Sequence, residues 1–185
     1  MRHCFLLASA TLVVAGSALA QAPSPYAGDE RREIKALSAQ ETSDYLAGRG
    51  MGLARAAELN GYPGPMHVLE LAEPLALTAE QRSRTQRLFE SMRTEAIAAG
   101  RALVDEERTL DALFRGGTVD ADTLSRTLAR IGQRQAEVRR VHLAAHLAQV
   151  EILTPEQVRR YAELRGYDGS QPASPSGHGH GHRKH

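Results

Sequence analysis

Two five-residue stretches of the chain are near copies of each other: Leu77-Thr78-Ala79-Glu80-Gln81 and Leu153-Thr154-Pro155-Glu156-Gln157. Each sets a Thr three residues ahead of a Gln at the head of a polar, helix-forming segment. This is the spacing of a capping box. The Thr hydroxyl accepts from the N–H of the third helical residue, and the Gln side chain reaches back to the Thr N–H. Pro155 falls at the first helical position, where its missing N–H costs nothing. Leu153, just ahead of its cap, can staple onto Val158.

The segment between the two starts reads as a helical hairpin. From Thr78 to about Arg115, Phe89, Ala96, Leu103 and Leu110 recur every seven residues. Met92, Ala99 and Leu113 form a second line, with Glu106 as its polar exception. At ~1.5 Å per residue this rod is about 57 Å long. Gly116-Gly117 ends it, Asp120 or Asp122 caps the next helix, and that helix carries the seam Leu124, Ile131, Val138, Ala145 and Ile152. The short link Gly116–Val119 forces the two rods to be antiparallel neighbours. A last helix runs from Thr154 to about Arg165 and stops at Gly166. Upstream, Ser38 and Glu41 form a further capping box. They open a helix predicted to run toward Leu59, with Gly48, Gly50 and Gly52 inside it as a kink or a close helix–helix approach. Asn60-Gly61 and Pro63-Gly64-Pro65 hold a turn, and Met66 to Ala72 is a short helix closed by Pro74. The expected fold is all-α, a long antiparallel helical hairpin with short flanking helices.

Residues 1–20 read as a secretory signal, with Arg2 and His3 ahead of an apolar Phe5–Gly16 and a small-x-small Ala18-Leu19-Ala20 site. The apolar run is too short for a stable membrane anchor, and no later segment is long and apolar. The expected organisation is a signal peptide over 1–20, a flexible leader over 21–36, a helical domain over 37–167 and a disordered His-rich tail over 168–185. Cys4 is the one cysteine, so an exported chain must be held by packing, metal or oligomerisation rather than by an internal disulfide. Of the 23 basic residues only Arg2 lies in the signal, which holds none of the 22 acidic ones; the remainder is balanced. That balance argues against nucleic acid as a partner. There is no Trp, and Phe89 and Phe114 are the phenylalanines beyond the signal. Thin Ala/Leu packing completed by a second copy, a homodimer, fits such a composition.

No GxSxG elbow, Walker loop, HExxH or cysteine nucleophile is present, so the chain is not expected to be an enzyme. Two histidine features carry chemistry. In the C-terminal segment, His178, His180, His182 and His185 alternate with Gly, a pattern that can wrap Zn, Ni or Cu or serve only as a solubilising tail. In Val141-His142-Leu143-Ala144-Ala145-His146, imidazoles at i and i+4 share one helix face and can grip one metal ion. Folding the short helix back beside the hairpin would bring His67 toward them, with Glu70 nearby. The other reading of these histidines is interfacial, each bonded to a carboxylate or carbonyl. The outer faces carry Arg82, Arg84, Arg87 and Glu90 on one rod and Arg126, Arg130, Arg134, Arg139 and Arg140 on the other. They are either solvated charges or a basic surface with apolar gaps.

Two LTxEQ copies flanking a hairpin in an exported, disulfide-free, all-helical chain resemble the LTxxQ periplasmic family, the Spy/CpxP chaperones together with their zinc- and nickel-binding relatives. The resemblance covers roughly Leu37 to Tyr167. It carries over Leu77, Thr78, Gln81, Leu153, Thr154 and Gln157 as structural motif positions. It implies a periplasmic, dimeric, ATP-independent chaperone or stress protein that needs no cofactor and binds unfolded or misfolded envelope proteins on a helical cradle. The alternative it implies is a heavy-metal binding or sensing protein for Zn, Ni or Cu, with a sensor kinase or metal-regulatory protein as partner. The histidines tilt the chain toward that metal-handling branch.

Overall fold

The structure is a computed structural model, and it describes residues 24–167. Among these there is no strand. Six helices follow one another: α1 (Ala39–Leu46), α2 (Arg55–Glu58), α3 (Pro65–Glu70), α4 (Ala79–Arg115), α5 (Ala121–Val150) and α6 (Pro155–Arg165). The expected signal segment and the tail histidines His178, His180, His182 and His185 lie outside the described residues. No described helix is long and apolar enough to cross a membrane.

Each long helix starts where its side chains can satisfy its free N–H groups. Thr78, Asp120 and Thr154 all close capping boxes, with Gln81, Thr123 and Gln157 reaching back to the respective cap. The α4–α5 link turns at Gly117, whose φ of 62° suits a residue without Cβ. α4 and α5 then pair as the antiparallel hairpin, with Leu103, Ile131 and Val138 fully buried between them and Tyr45, Leu53, Ala99 and Leu110 packed around. A second apolar cluster sits at the motif end. There Val68, Leu75, Leu153 and Tyr161 bury against one another, flanked by Leu71, Leu77, Val158 and Leu164. The staple of Leu153 on Val158 is part of it.

The two LTxEQ boxes are joined to each other as well as to their own helices. Gln81 Nε2 donates to Gln157 Oε1 at 2.8 Å, and Gln157 Nε2 donates to Gln81 Oε1 at 3.0 Å. Each amide also donates to a backbone carbonyl on the opposite side, Gln81 to Ile152 and Gln157 to Leu75. Each Oε1 meanwhile accepts from its own Thr N–H. The starts of α4 and α6 are thus locked into one paired unit.

The helix predicted from Ser38 to Leu59 is interrupted. Gly48, Met51 and Gly52 adopt left-handed backbone, with φ of 66°, 46° and 75°, and such residues end a helix rather than kink it. The chain breaks into α1, a looped 47–54 segment and α2. Gly48 does mark a close approach: a Cβ there would lie 3.0 Å from Ile97 Cγ1 and 3.1 Å from the Arg93 carbonyl. The helix predicted from Met66 to Ala72 begins one residue earlier, at Pro65, and closes at Glu70. In the stretch read as leader, Ile34 is buried, Glu33 pairs with Arg108 at 2.8 Å, and Lys35 bonds Asp111 through both its backbone N–H and its ammonium.

Several polar groups lie on the hairpin's inner face. Thr85, Thr127 and Gln149 are buried, and Gln149 Nε2 donates to Thr85 at 3.2 Å. Glu107 is also buried, and burial pushes its carboxyl above the usual carboxylate value of 4.5. A raised folded-state pKa contributes stability below 4.5 that is lost as pH rises through the folded value. Urea denaturation of Glu107→Gln should therefore show stability rising relative to wild type between pH 4.5 and neutrality. A difference constant with pH would remove that account.

Candidate functional site

The two apolar clusters leave a gap along the hairpin between them, and the i, i+4 histidines of α5 project into it. They line a cleft of about 490 Å³ together with Phe89 and Met92 from α4, Met66 and His67 from α3, and backbone of the 47–50 loop and Gly64. The fold therefore brings His67, His142 and His146 to one cleft, as the folding-back of α3 predicts. Glu70 does not line it and is exposed on α3.

One of the two α5 imidazoles, that of His146, is oriented by a backbone carbonyl. His146 Nδ1 lies 2.7 Å from the Tyr62 carbonyl oxygen. A carbonyl can only accept, so Nδ1 carries the proton and Nε2 is the free nitrogen. That Nε2 edge faces Gly64, where a Cβ would stand only 3.0 Å from it. His142 is 6% exposed, and its Nε2 is buried with no partner. Its Nδ1 edge is turned toward Gly50 of the 47–50 loop. Burial, helped by the neighbouring His146, lowers the His142 pKa below 6.5 and so keeps its ring neutral near pH 7. The pair thus shares one helix face, with the His146 Nδ1–H committed to a carbonyl and the His142 Nε2 left unpaired. Metal-binding imidazoles are set up by outer-shell carbonyls in this way.

His67 is turned differently. Its Nδ1 sits 3.4 Å from Glu58 Oε1 and 3.3 Å from the Tyr161 hydroxyl. Glu58, on the four-residue α2, is the hub of a polar cluster behind the cleft. Its Oε1 accepts from the Tyr161 hydroxyl and, at 3.2 Å, from that of Tyr167, with Arg165 Nε at 3.6 Å. Oε2 is buried without a hydrogen bond and lies 3.7 Å from His146 Nδ1. Burial and the adjoining Glu58 push the Tyr161 phenol far upward, so it stays a donor. Among the described residues, no group of three or more His, Cys, Asp and Glu side chains is arranged to hold a metal ion.

Sequence reasoning missed Glu58, Tyr161 and Tyr167, which belong to no periodic pattern and meet only through contacts far apart in the chain. It also missed Met66 as a cleft residue, and it assigned Met92 to the hairpin seam.

A fold of this kind, with paired LTxEQ starts and a histidine-lined cleft, agrees with the family comparison. Residues 6–160 match the model of the heavy-metal resistance family. The chain belongs to that family. The heavy-metal resistance family is related to the LTxxQ/Spy–CpxP-like periplasmic proteins, and its members are generally periplasmic. No curated protein and no solved structure gives a significant match to the chain.

Proposed function

We propose that this heavy-metal resistance protein binds a metal ion in the envelope through His142 and His146, without turnover and without a resident cofactor. The observation that carries the reading is the pair of imidazoles lining one cleft, His146 with its Nδ1 tied to the Tyr62 carbonyl and His142 with its buried Nε2 unpaired. Zn, Ni and Cu all accept imidazole ligands. The histidines of the C-terminal segment, His178, His180, His182 and His185, which alternate with Gly over 178–182, would add a second binding class. Calorimetric titration of the protein with each ion should show binding that weakens on deletion of 178–185. The remaining binding should fall at least about tenfold with His142→Ala plus His146→Ala. A flat titration would overturn the reading.

A second reading, a chaperone for unfolded envelope proteins acting without ATP as a homodimer, has its own support. Phe114, Leu128 and Leu147 are exposed on the hairpin, 58%, 48% and 58% respectively, among many arginines. Scattered apolar surface of this kind can hold clients weakly. The chaperone should suppress aggregation of a denatured client at near-stoichiometric ratios, and no effect at several-fold excess removes this reading. A sensor kinase or metal-regulatory protein as partner remains a proposal that pull-down from envelope extracts tests.

A further inference from the structure

The cleft in front of His142 and His146 has an unusual donor set. Two of the chain's four methionines, Met66 and Met92, line it. They come from different helices, α3 and α4, and face the α5 histidines across it. No carboxylate lines the cleft, whereas Arg49 and Arg93 do. Met66 is 46% exposed at its mouth. The one nearby carboxylate, Glu58, stands on the Nδ1 side of His146, away from the free nitrogen, and is held by two tyrosines.

This combination selects among metals. Hard cations and most divalent ions rely on carboxylate or carbonyl oxygens to offset their charge. Here a divalent ion would meet no anionic side chain among the lining residues, and the cost of its uncompensated charge is twice that of a monovalent ion at the same position. Thioethers are soft, uncharged donors that favour Cu(I), and neutral imidazole tolerates the same ion. With no third His, Cys, Asp or Glu arranged as a ligand among the described residues, sulfur is the remaining donor the cleft provides. Three buried side-chain atoms lack a partner, Glu58 Oε2, Gln149 Oε1 and His142 Nε2, and of these residues His142 is the one that lines the cleft, which is the independent sign that a ligand is missing there.

We propose that this cleft is a site for a soft monovalent d¹⁰ cation of the Cu(I) or Ag(I) type, with Met66 and Met92 as sulfur ligands beside the Nε2 atoms of His142 and His146. The proposal rests on the reading that these two histidines hold a metal, and the test separates the two.

Ag(I), which is stable in air, is the probe, titrated calorimetrically into the full chain in chloride-free buffer, with Zn(II) titrated in parallel. The C-terminal segment 168–185 contains histidine but no methionine, so any methionine-dependent binding reports on the cleft alone. Met66→Leu plus Met92→Leu conserves volume and hydrophobicity, and circular dichroism checks that helix content is kept. The double methionine variant should lose at least about tenfold in Ag(I) affinity while the Zn(II) isotherm stays unchanged. X-ray absorption at the silver edge should show a sulfur shell that disappears in that variant. Ag(I) binding unchanged by the methionine substitutions, with no sulfur shell, overturns the soft-cation proposal even where His142→Ala plus His146→Ala weakens Zn(II). If the histidine variant alters neither isotherm, the underlying metal reading fails as well.

Discussion

Replacing Gly100 by alanine is expected to destabilise the protein by about 3 kcal/mol, which lowers the melting temperature by roughly 10 °C for a chain of this size. The direction is the reverse of the usual one. Alanine in a helix interior is favoured over glycine by up to about 1 kcal/mol. Gly100, however, is buried at the middle of α4, where a Cβ would lie 2.2 Å from the Tyr45 carbonyl oxygen and 2.8 Å from its carbon. Those atoms are backbone of the last turn of α1 and cannot step aside without moving the helix. Displacing that turn also shifts the 47–50 loop, which lines the cleft beside His142, so metal affinity should fall with stability. The matched control is Gly132→Ala on α5, where the new methyl meets nothing within 4 Å. It should stabilise by up to about 1 kcal/mol. Thermal denaturation of both variants checks the pair. Equal and small shifts would mean that α1 does not sit against α4 as described.

Much of this architecture is legible in the sequence, and the boundary follows range. Capping boxes at Ser38, Thr78 and Thr154 depend on atoms three residues apart and can be read directly. The sevenfold spacing from Ala96 to Leu103 and from Ile131 to Val138 correctly marks the buried seam. The break in the first predicted helix is less visible. The sequence marks Gly48, Gly50 and Gly52 as a kink or a close approach, but the left-handed turn at Gly48 and its packing against Ile97 and Arg93 depend on contacts far along the chain. The i, i+4 spacing identifies His142 and His146 as one pair, yet which ring nitrogen of His146 is free depends on the carbonyl at position 62. Glu58 has no local signature because its hydroxyl partners, Tyr161 and Tyr167, lie more than a hundred residues away. Met92 fits a core heptad and a ligand position equally well, because periodicity reports which face a residue occupies and not whether that face is filled.

The same limit governs the motif itself and yields the second large effect expected. A capping box accepts Glu as readily as Gln at its third position, and α1 uses Glu41 for this purpose. On local grounds Gln157→Glu should be harmless. In the folded chain Gln157 Nε2 donates to the Leu75 carbonyl and to Gln81 Oε1, and a carboxylate can make neither bond. The substitution leaves the partly buried Leu75 carbonyl without its donor and sets a carboxylate against Gln81 Oε1, which keeps only the Thr78 N–H, with a loss of about 3 kcal/mol near pH 7. Replacing both Gln81 and Gln157 by Glu sets two carboxylates face to face and costs more. Their proximity raises the folded pKa above the unfolded value of about 4.3. Stability is then retained below that value, where a protonated carboxyl can donate, and lost as pH rises through the folded pKa. Urea denaturation should therefore show the double variant's deficit shrinking sharply at about pH 4. Glu41→Gln, in a box that pairs with no other, should stay within about 1 kcal/mol of wild type at either pH. A Gln157→Glu protein as stable as that control would mean that the two LTxEQ motifs cap their helices separately, and that their pairing across the fold contributes nothing.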